Sequence, residues 1–145
     1  MKALFYTRSS QLNEVSNKKV ETFSQEVENM KLRITIDGKE VTATLADNAT
    51  TRDLISLLPL ILTLEDYAKT EKVSDLPKRL TTQGAPAGSD PDVGDIAYYA
   101  PWGNLAIFYK DGQYSDGLVI LGKIDGDMAK FKAAGPLKAT VDLMK

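Results

Sequence analysis

The sequence predicts a mainly β domain, a closed antiparallel barrel of about eight short strands with two short helices. Three observations carry that reading. Apolar and polar residues alternate in several short runs, turn dipeptides punctuate the chain, and helical spacing is confined to short segments. Length sets the scale, since 145 residues with 43% hydrophobic content fit one compact domain rather than two.

Residues 1–29 differ from the rest of the chain and are read as an N-terminal extension to a barrel domain over 30–145. Ser9-Ser10-Gln11 and Ser16-Asn17-Lys18-Lys19 are polar and carry no strand-and-turn rhythm. Within the extension, Val20, Phe23 and Val27 fall at i, i+3 and i+7, the spacing of one short amphipathic helix that would lie against the body or a neighbouring chain. Met30-Lys31 repeats the opening Met-Lys, so translation from Met30 would still give a complete domain.

From Leu32 the period becomes two. Leu32, Ile34 and Ile36 precede Asp37-Gly38, and Val41, Ala43 and Leu45 come after it. Asp-Gly suits a two-residue type I′ turn, which pairs Ile36 with Lys39, Ile34 with Val41 and Leu32 with Ala43. Turn and apolar pattern agree on that register. Thr50, with Asp53 three residues on, has the form of a capping box before the apolar face of Leu54, Ile55, Leu57 and Leu58, and Pro59 would stop this first helix. Leu60, Leu62 and Leu64 alternate as a strand, and Glu71 to Asp75 is a brief strand before Pro77.

Gln83 to Asp95 holds Gly84, Pro86, Gly88, Pro91 and Gly94, too many backbone breakers for anything but a surface loop. Ile96 to Ala100 and Asn104 to Lys110 read as strands around Pro101-Trp102-Gly103. Asp111-Gly112 turns the chain, and Leu118 to Ile124 is another strand. Asp127 to Ala134 is expected as the second helix, stopped by Gly135-Pro136, and Leu137, Ala139, Val141 and Leu143 alternate as the last strand.

Composition excludes whole classes of chemistry. With no His and no Cys, the chain can build neither a Ser-His-Asp triad, a thiol redox centre, a disulfide nor a histidine or thiolate zinc site. Eighteen basic against 20 acidic residues leave a net charge of -2, and the scattered cations argue against nucleic acid as a partner. The longest apolar run, Leu57 to Leu62, is broken by Pro59 and falls far short of the roughly 20 residues that span a bilayer. No membrane partner is expected, and the chain is read as cytoplasmic. Asp90, Asp92 and Asp95 partly match a calcium loop, but the twelfth position is Pro101 rather than glutamate. No metal and no cofactor are expected.

The run Tyr114-Ser115-Asp116-Gly117-Leu118-Val119-Ile120-Leu121-Gly122-Lys123-Ile124 resembles the W-L-D-G-x-x-V-V-F-G-K-V stretch of cyclophilins. Closer still, Thr70-Glu71-Lys72, Leu76-Pro77, Gly94-Asp95-Ile96-Ala97-Tyr98 and Gly103-Asn104-Leu105-Ala106-Ile107-Phe108 resemble the bacterial cyclophilin-like domain family. The likeness covers about Met30 to Val141. It implies the cyclophilin-like barrel and raises peptidyl-prolyl cis/trans isomerisation, which in cyclophilins is assisted by an arginine directed at the prolyl nitrogen. The matching position here is Lys72, which has no planar guanidinium fork. The pocket motif F-M-x-Q-G-G is reduced to Thr81-Thr82-Gln83-Gly84, and the pocket histidine has no counterpart.

Lys72 is thus read either as a solvated surface lysine beside Glu71 or as a pocket cation, the weak catalytic candidate. Gln83, Tyr99, Trp102, Phe108 and Tyr114 are the candidate ligand-binding residues, with Ile107 in place of Phe108 if the strand slips by one. Trp102, in a turn between Pro101 and Gly103, is expected to be an exposed aromatic. The functional expectation is a groove that binds a small molecule or a proline-containing peptide without efficient prolyl isomerisation. A slow prolyl isomerase and a structural module, dimeric through residues 1–29, are the alternatives.

Overall fold

A computed structural model of the chain describes residues 30–144. The extension over 1–29 and its expected helix lie outside the described residues. The strands are β1 (Lys31–Ile36), β2 (Lys39–Leu45), β3 (Leu60–Tyr67), β4 (Glu71–Asp75), β5 (Gly88–Ser89), β6 (Asp95–Tyr99), β7 (Asn104–Phe108), β8 (Ser115–Asp116), β9 (Leu118–Ile124) and β10 (Leu137–Met144), with one helix, α1 (Ala49–Ile55). Eight strands close an antiparallel barrel in the order β1-β10-β3-β4-β7-β6-β9-β2, and β5 pairs with β8 as a separate two-stranded ribbon. Closure leaves no unpaired sheet edge in the barrel.

The first hairpin has the register that turn and alternation dictate: Ile36 opposite Lys39, Ile34 opposite Val41, Leu32 opposite Ala43. Asp37 and Gly38 both take positive φ, 51° and 75°, as a type I′ turn requires. Leu32, Ile34, Ile36, Ala43 and Leu45 are buried in the barrel interior with Leu62, Leu64, Leu105, Ile107, Ala139 and Val141.

Helix α1 closes one end of the barrel through Leu54, which is fully buried. Its N-cap is Asn48 rather than Thr50: the Asn48 side-chain oxygen accepts from the Thr51 N–H at 2.8 Å. Thr50 and Asp53 serve other bonds, Thr50 donating to the Thr81 carbonyl at 2.6 Å and Asp53 accepting the Thr81 N–H at 2.7 Å. Together they fasten the segment after β4 to the helix. The helix ends at Ile55, earlier than Pro59 implied, because Leu57 and Leu58 donate to the carbonyls of Leu54 and Ile55 in tighter i→i−3 bonds.

The second expected helix does not form. Residues 127–134 make a turn in which the Phe131 and Lys132 N–H groups both reach the Met128 carbonyl. Met128 and Phe131 have helical spacing because both side chains enter the core. α1 is therefore the one helix among the described residues. None of them forms a helix long and apolar enough to cross a membrane.

Candidate functional site

Both faces of β7 are covered, so every one of its residues is buried. Leu105 and Ile107 join the interior, and alternation turns Asn104, Ala106 and Phe108 outward. Outside the barrel, Ala97, Ala106, Phe108 and Leu118 form a second apolar cluster with Val73, Tyr99 and Ile120 against it. Loops fold over its margin: the Gly112 N–H donates to the Pro91 carbonyl, and Gly117 to that of Ala87. A Cβ on Gly112 would stand 2.9 Å from Pro91 Cγ and 3.0 Å from the Phe108 ring, so only glycine admits this approach.

Beside this cluster lies a groove of about 400 Å³ on the outer face of β4, β7, β6 and β9. Its volume falls in the ordinary range for small-ligand sites. Tyr67 and Tyr99 flank Trp102 in edge-to-face contacts, with centroids 5.4 and 5.3 Å away. The Trp102 side of the groove stays open, since that residue is 54% exposed. At the other end stand Thr70, Glu71, Asp111 and Gln113.

Electrostatics single out Glu71. Partial burial withdraws its carboxylate from water and pushes its pKa up to about 7. On the adjoining barrel wall the Tyr109 hydroxyl donates to Asp66, which also accepts the Lys69 N–H. Burial and that carboxylate push Tyr109 up to about 12, while the donated bond holds Asp66 below the usual carboxylate range. Among the described residues, no group of three or more carboxylates is arranged to hold a metal. Asp95 instead accepts the Asp92 N–H and lies 3.6 Å from Lys123.

A family model described as the cyclophilin-like family matches residues 34–142. The chain belongs to the cyclophilin-like family. A comparison with curated proteins finds no match. Among solved structures, the fold is similar to that of a hypothetical protein, AF2241, from Archaeoglobus fulgidus, determined in solution. The TM-score is 0.58 and the identity 22%, over 79% of this chain and 95% of that one. That likeness concerns the fold.

Within this cyclophilin-like barrel, Tyr99, Trp102 and Phe108 line one groove. The register of β7 resolves the choice between its neighbours, since Ile107 points into the barrel. Tyr114 and Gln83 do not line the groove. Tyr114 is 57% exposed and covers Gly88, where a Cβ would stand 2.7 Å from its hydroxyl. Gln83 is exposed in the turn after Thr81 and donates its N–H to the Thr81 hydroxyl.

Lys72 corrects both sequence readings of that position. It is neither solvated nor turned toward the groove: its side chain is 0% exposed. Its Nζ donates to the carbonyls of Ala133 and Gly135 at 2.8 and 2.9 Å and lies 3.6 Å from Asp66. Adjacent strand residues face opposite ways, so the inward turn of Lys72 is what puts Glu71 and Val73 in the groove.

Sequence reasoning missed Tyr67, Glu71 and Asn104 as groove residues. The signal for Asn104 was alternation with Phe108 along one strand. For Tyr67 and Glu71 it lay in the pairing of β3 with β4, where the two stand opposite one another.

Proposed function

We propose that this cyclophilin-like protein binds a small molecule or a peptide segment in the groove on the outer face of β4, β7, β6 and β9, and does not accelerate prolyl isomerisation efficiently. One observation carries the reading: Tyr99, Trp102 and Phe108 line a single open recess backed by rigid strands. Aromatic surfaces on a fixed sheet supply apolar contact at low entropic cost, and they suit a proline ring or another flat or aliphatic group.

Prolyl isomerisation asks for more than binding. Amide conjugation breaks in the transition state, so catalysis needs a donor whose bond strengthens only there. Among the described residues no Arg or Lys lines the groove, and its side-chain amides, Asn104 and Gln113, are neutral donors. Lys72 gives its ammonium to the carbonyls of Ala133 and Gly135, outside the groove lining.

Two titrations test the reading. Fluorescence of Trp102, the sole tryptophan, should respond to saturating proline peptides or to members of a small-molecule library, and Trp102→Phe should weaken binding detected by ligand NMR. A protease-coupled proline peptide assay should show no acceleration by wild type or Lys72→Ala. Acceleration by wild type would replace this reading with a slow isomerase, whatever the variant does, since Lys72 lies outside the groove.

A further inference from the structure

The groove has two polar ends joined by aromatic and aliphatic surface. Glu71 stands opposite Phe108 in the β4–β7 register, and Asn104 stands opposite Asp75. Phe108 lies four steps along the strand from Asn104, a Cα spacing of about 13 Å. Each polar end carries an acceptor that no cationic side chain meets, the Glu71 carboxylate at one and the Asn104 oxygen at the other. Asn104 is 5% exposed, and its side-chain oxygen has no hydrogen-bond partner. A buried acceptor in that condition is costly until an N–H is supplied, and Asn104 lines the groove from which a ligand would supply it. No ion pair reaches Glu71 among the described residues, because its neighbour Lys72 is committed to the other face. Asp111, held by the Val93 N–H at 2.7 Å, adds a second carboxylate at the Glu71 end.

Resting on the groove-binding reading above, we infer that the ligand class is an extended aliphatic amine, with an ammonium at Glu71, a carbon stem along the Tyr99 and Trp102 rings, and a second N–H donor at Asn104. Charge selects the cation, since the lining offers two carboxylates and no basic side chain. The ring faces favour it further, because the π-cloud attracts ammonium groups as well as alkyl stems. An anion would meet Glu71 and Asp111, and a neutral alkane would leave the Asn104 oxygen unpaired. The upward shift of Glu71 fits the geometry, since a carboxylate withdrawn from water without a cation holds its proton more tightly. Tyr67 and Phe108 face Glu71 from the flanking strands, and Tyr109, next to Phe108, feels its charge.

The test is titration of the full chain with spermidine, hexylamine, hexanol and hexanoate at constant ionic strength, above the Glu71 pKa of about 7, following Trp102 fluorescence. Spermidine should bind most tightly, then hexylamine, then hexanol, with hexanoate weakest. Glu71→Gln should weaken both amines by roughly tenfold or more while leaving hexanol unchanged, since it removes a charge-assisted bond. Asn104→Leu should weaken spermidine and spare hexylamine. Retained hexanol binding shows that each variant keeps its groove. Hexanol binding as tightly as the amines would overturn the amine inference and leave the groove reading standing. No response to any of the four would also overturn it, and the proline-peptide titration then judges the groove reading separately.

Discussion

Lys72 Nζ lies 2.8 Å from the Ala133 carbonyl oxygen, joining β4 to the segment that precedes β10. This contact gives a partner to a carbonyl of the turn, and it places the ammonium where solvent does not reach. Lys72→Ala removes donors to both Ala133 and Gly135 and the packing of the aliphatic stem. The expected loss is about 2–4 kcal/mol of unfolding free energy. Lys72→Met keeps the stem and discards the desolvated charge, so its loss should be the smaller. Urea denaturation of the two variants checks the order, and equal stability of wild type and Lys72→Ala would contradict the contact.

Glu71 makes stability depend on pH in a defined direction. Its folded-state pKa of about 7 lies above the ordinary 4.5, so between those values the folded chain holds a proton that the unfolded chain has released. The stabilisation it contributes is therefore complete below pH 4.5 and is lost as pH rises through about 7. Glu71→Gln should remove this fall, leaving a flatter profile across that window and a higher melting temperature than wild type at about pH 8. Asp53, Asp66, Asp125 and Asp142 have lowered pKa values and act in the opposite sense, in the more acid range below the ordinary 3.8. Thermal melts across the two ranges separate the contributions.

Gly122 sits where β9 closes on β2. A Cβ there would stand 2.5 Å from the Thr44 carbonyl oxygen and 3.3 Å from Leu45 Cα, both backbone atoms of the paired strand. The β6–β9 register shifts beside it, with Ile96 opposite Gly122 but Ala97 opposite Ile120. Gly122→Ala should destabilise by about 3 kcal/mol or more, at the upper end of overpacking costs, because neither neighbour can rotate away. Amide exchange should then show faster opening along β2 and β9 than along β3 and β10.

Asn48 has two tasks: its oxygen caps α1, and its amide donates to the Ile120 carbonyl at 3.0 Å. Asn48→Ala should cost about 1–2 kcal/mol, and Thr50→Ala should also destabilise through loss of the bond to Thr81 rather than through loss of a cap. Asn48→Asp separates the functions, retaining the cap acceptor and losing the donor to Ile120. Chemical denaturation of the three variants reads each contribution.

The hairpin β1–β2 was legible because its information is local: Asp37-Gly38 selects the turn, and the turn selects the register that buries Leu32, Ile34 and Ile36. The last strand and the run Leu118 to Ile124 were legible for the same reason. The helix expected over Asp127 to Ala134 does not form because Met128 and Phe131 enter the core from a turn rather than from a helix face. Thr50 and Asp53 misled because capping residues are also good partners for distant backbone, here that of Thr81.

At the site, sequence alone determined the barrel strands and the aromatic concentration that contributes Tyr99, Trp102 and Phe108. Alternation also determined that Lys72 and Glu71 face opposite ways, but not which of them faces inward. Only tertiary structure decided that. The carbonyls that receive Lys72 lie more than sixty residues later in the chain, and Tyr67 reaches Trp102 only once β3, β4, β7 and β6 stand side by side. Local pattern fixes the parity of a strand, whereas the choice of buried face is set by what the closed barrel offers each side chain.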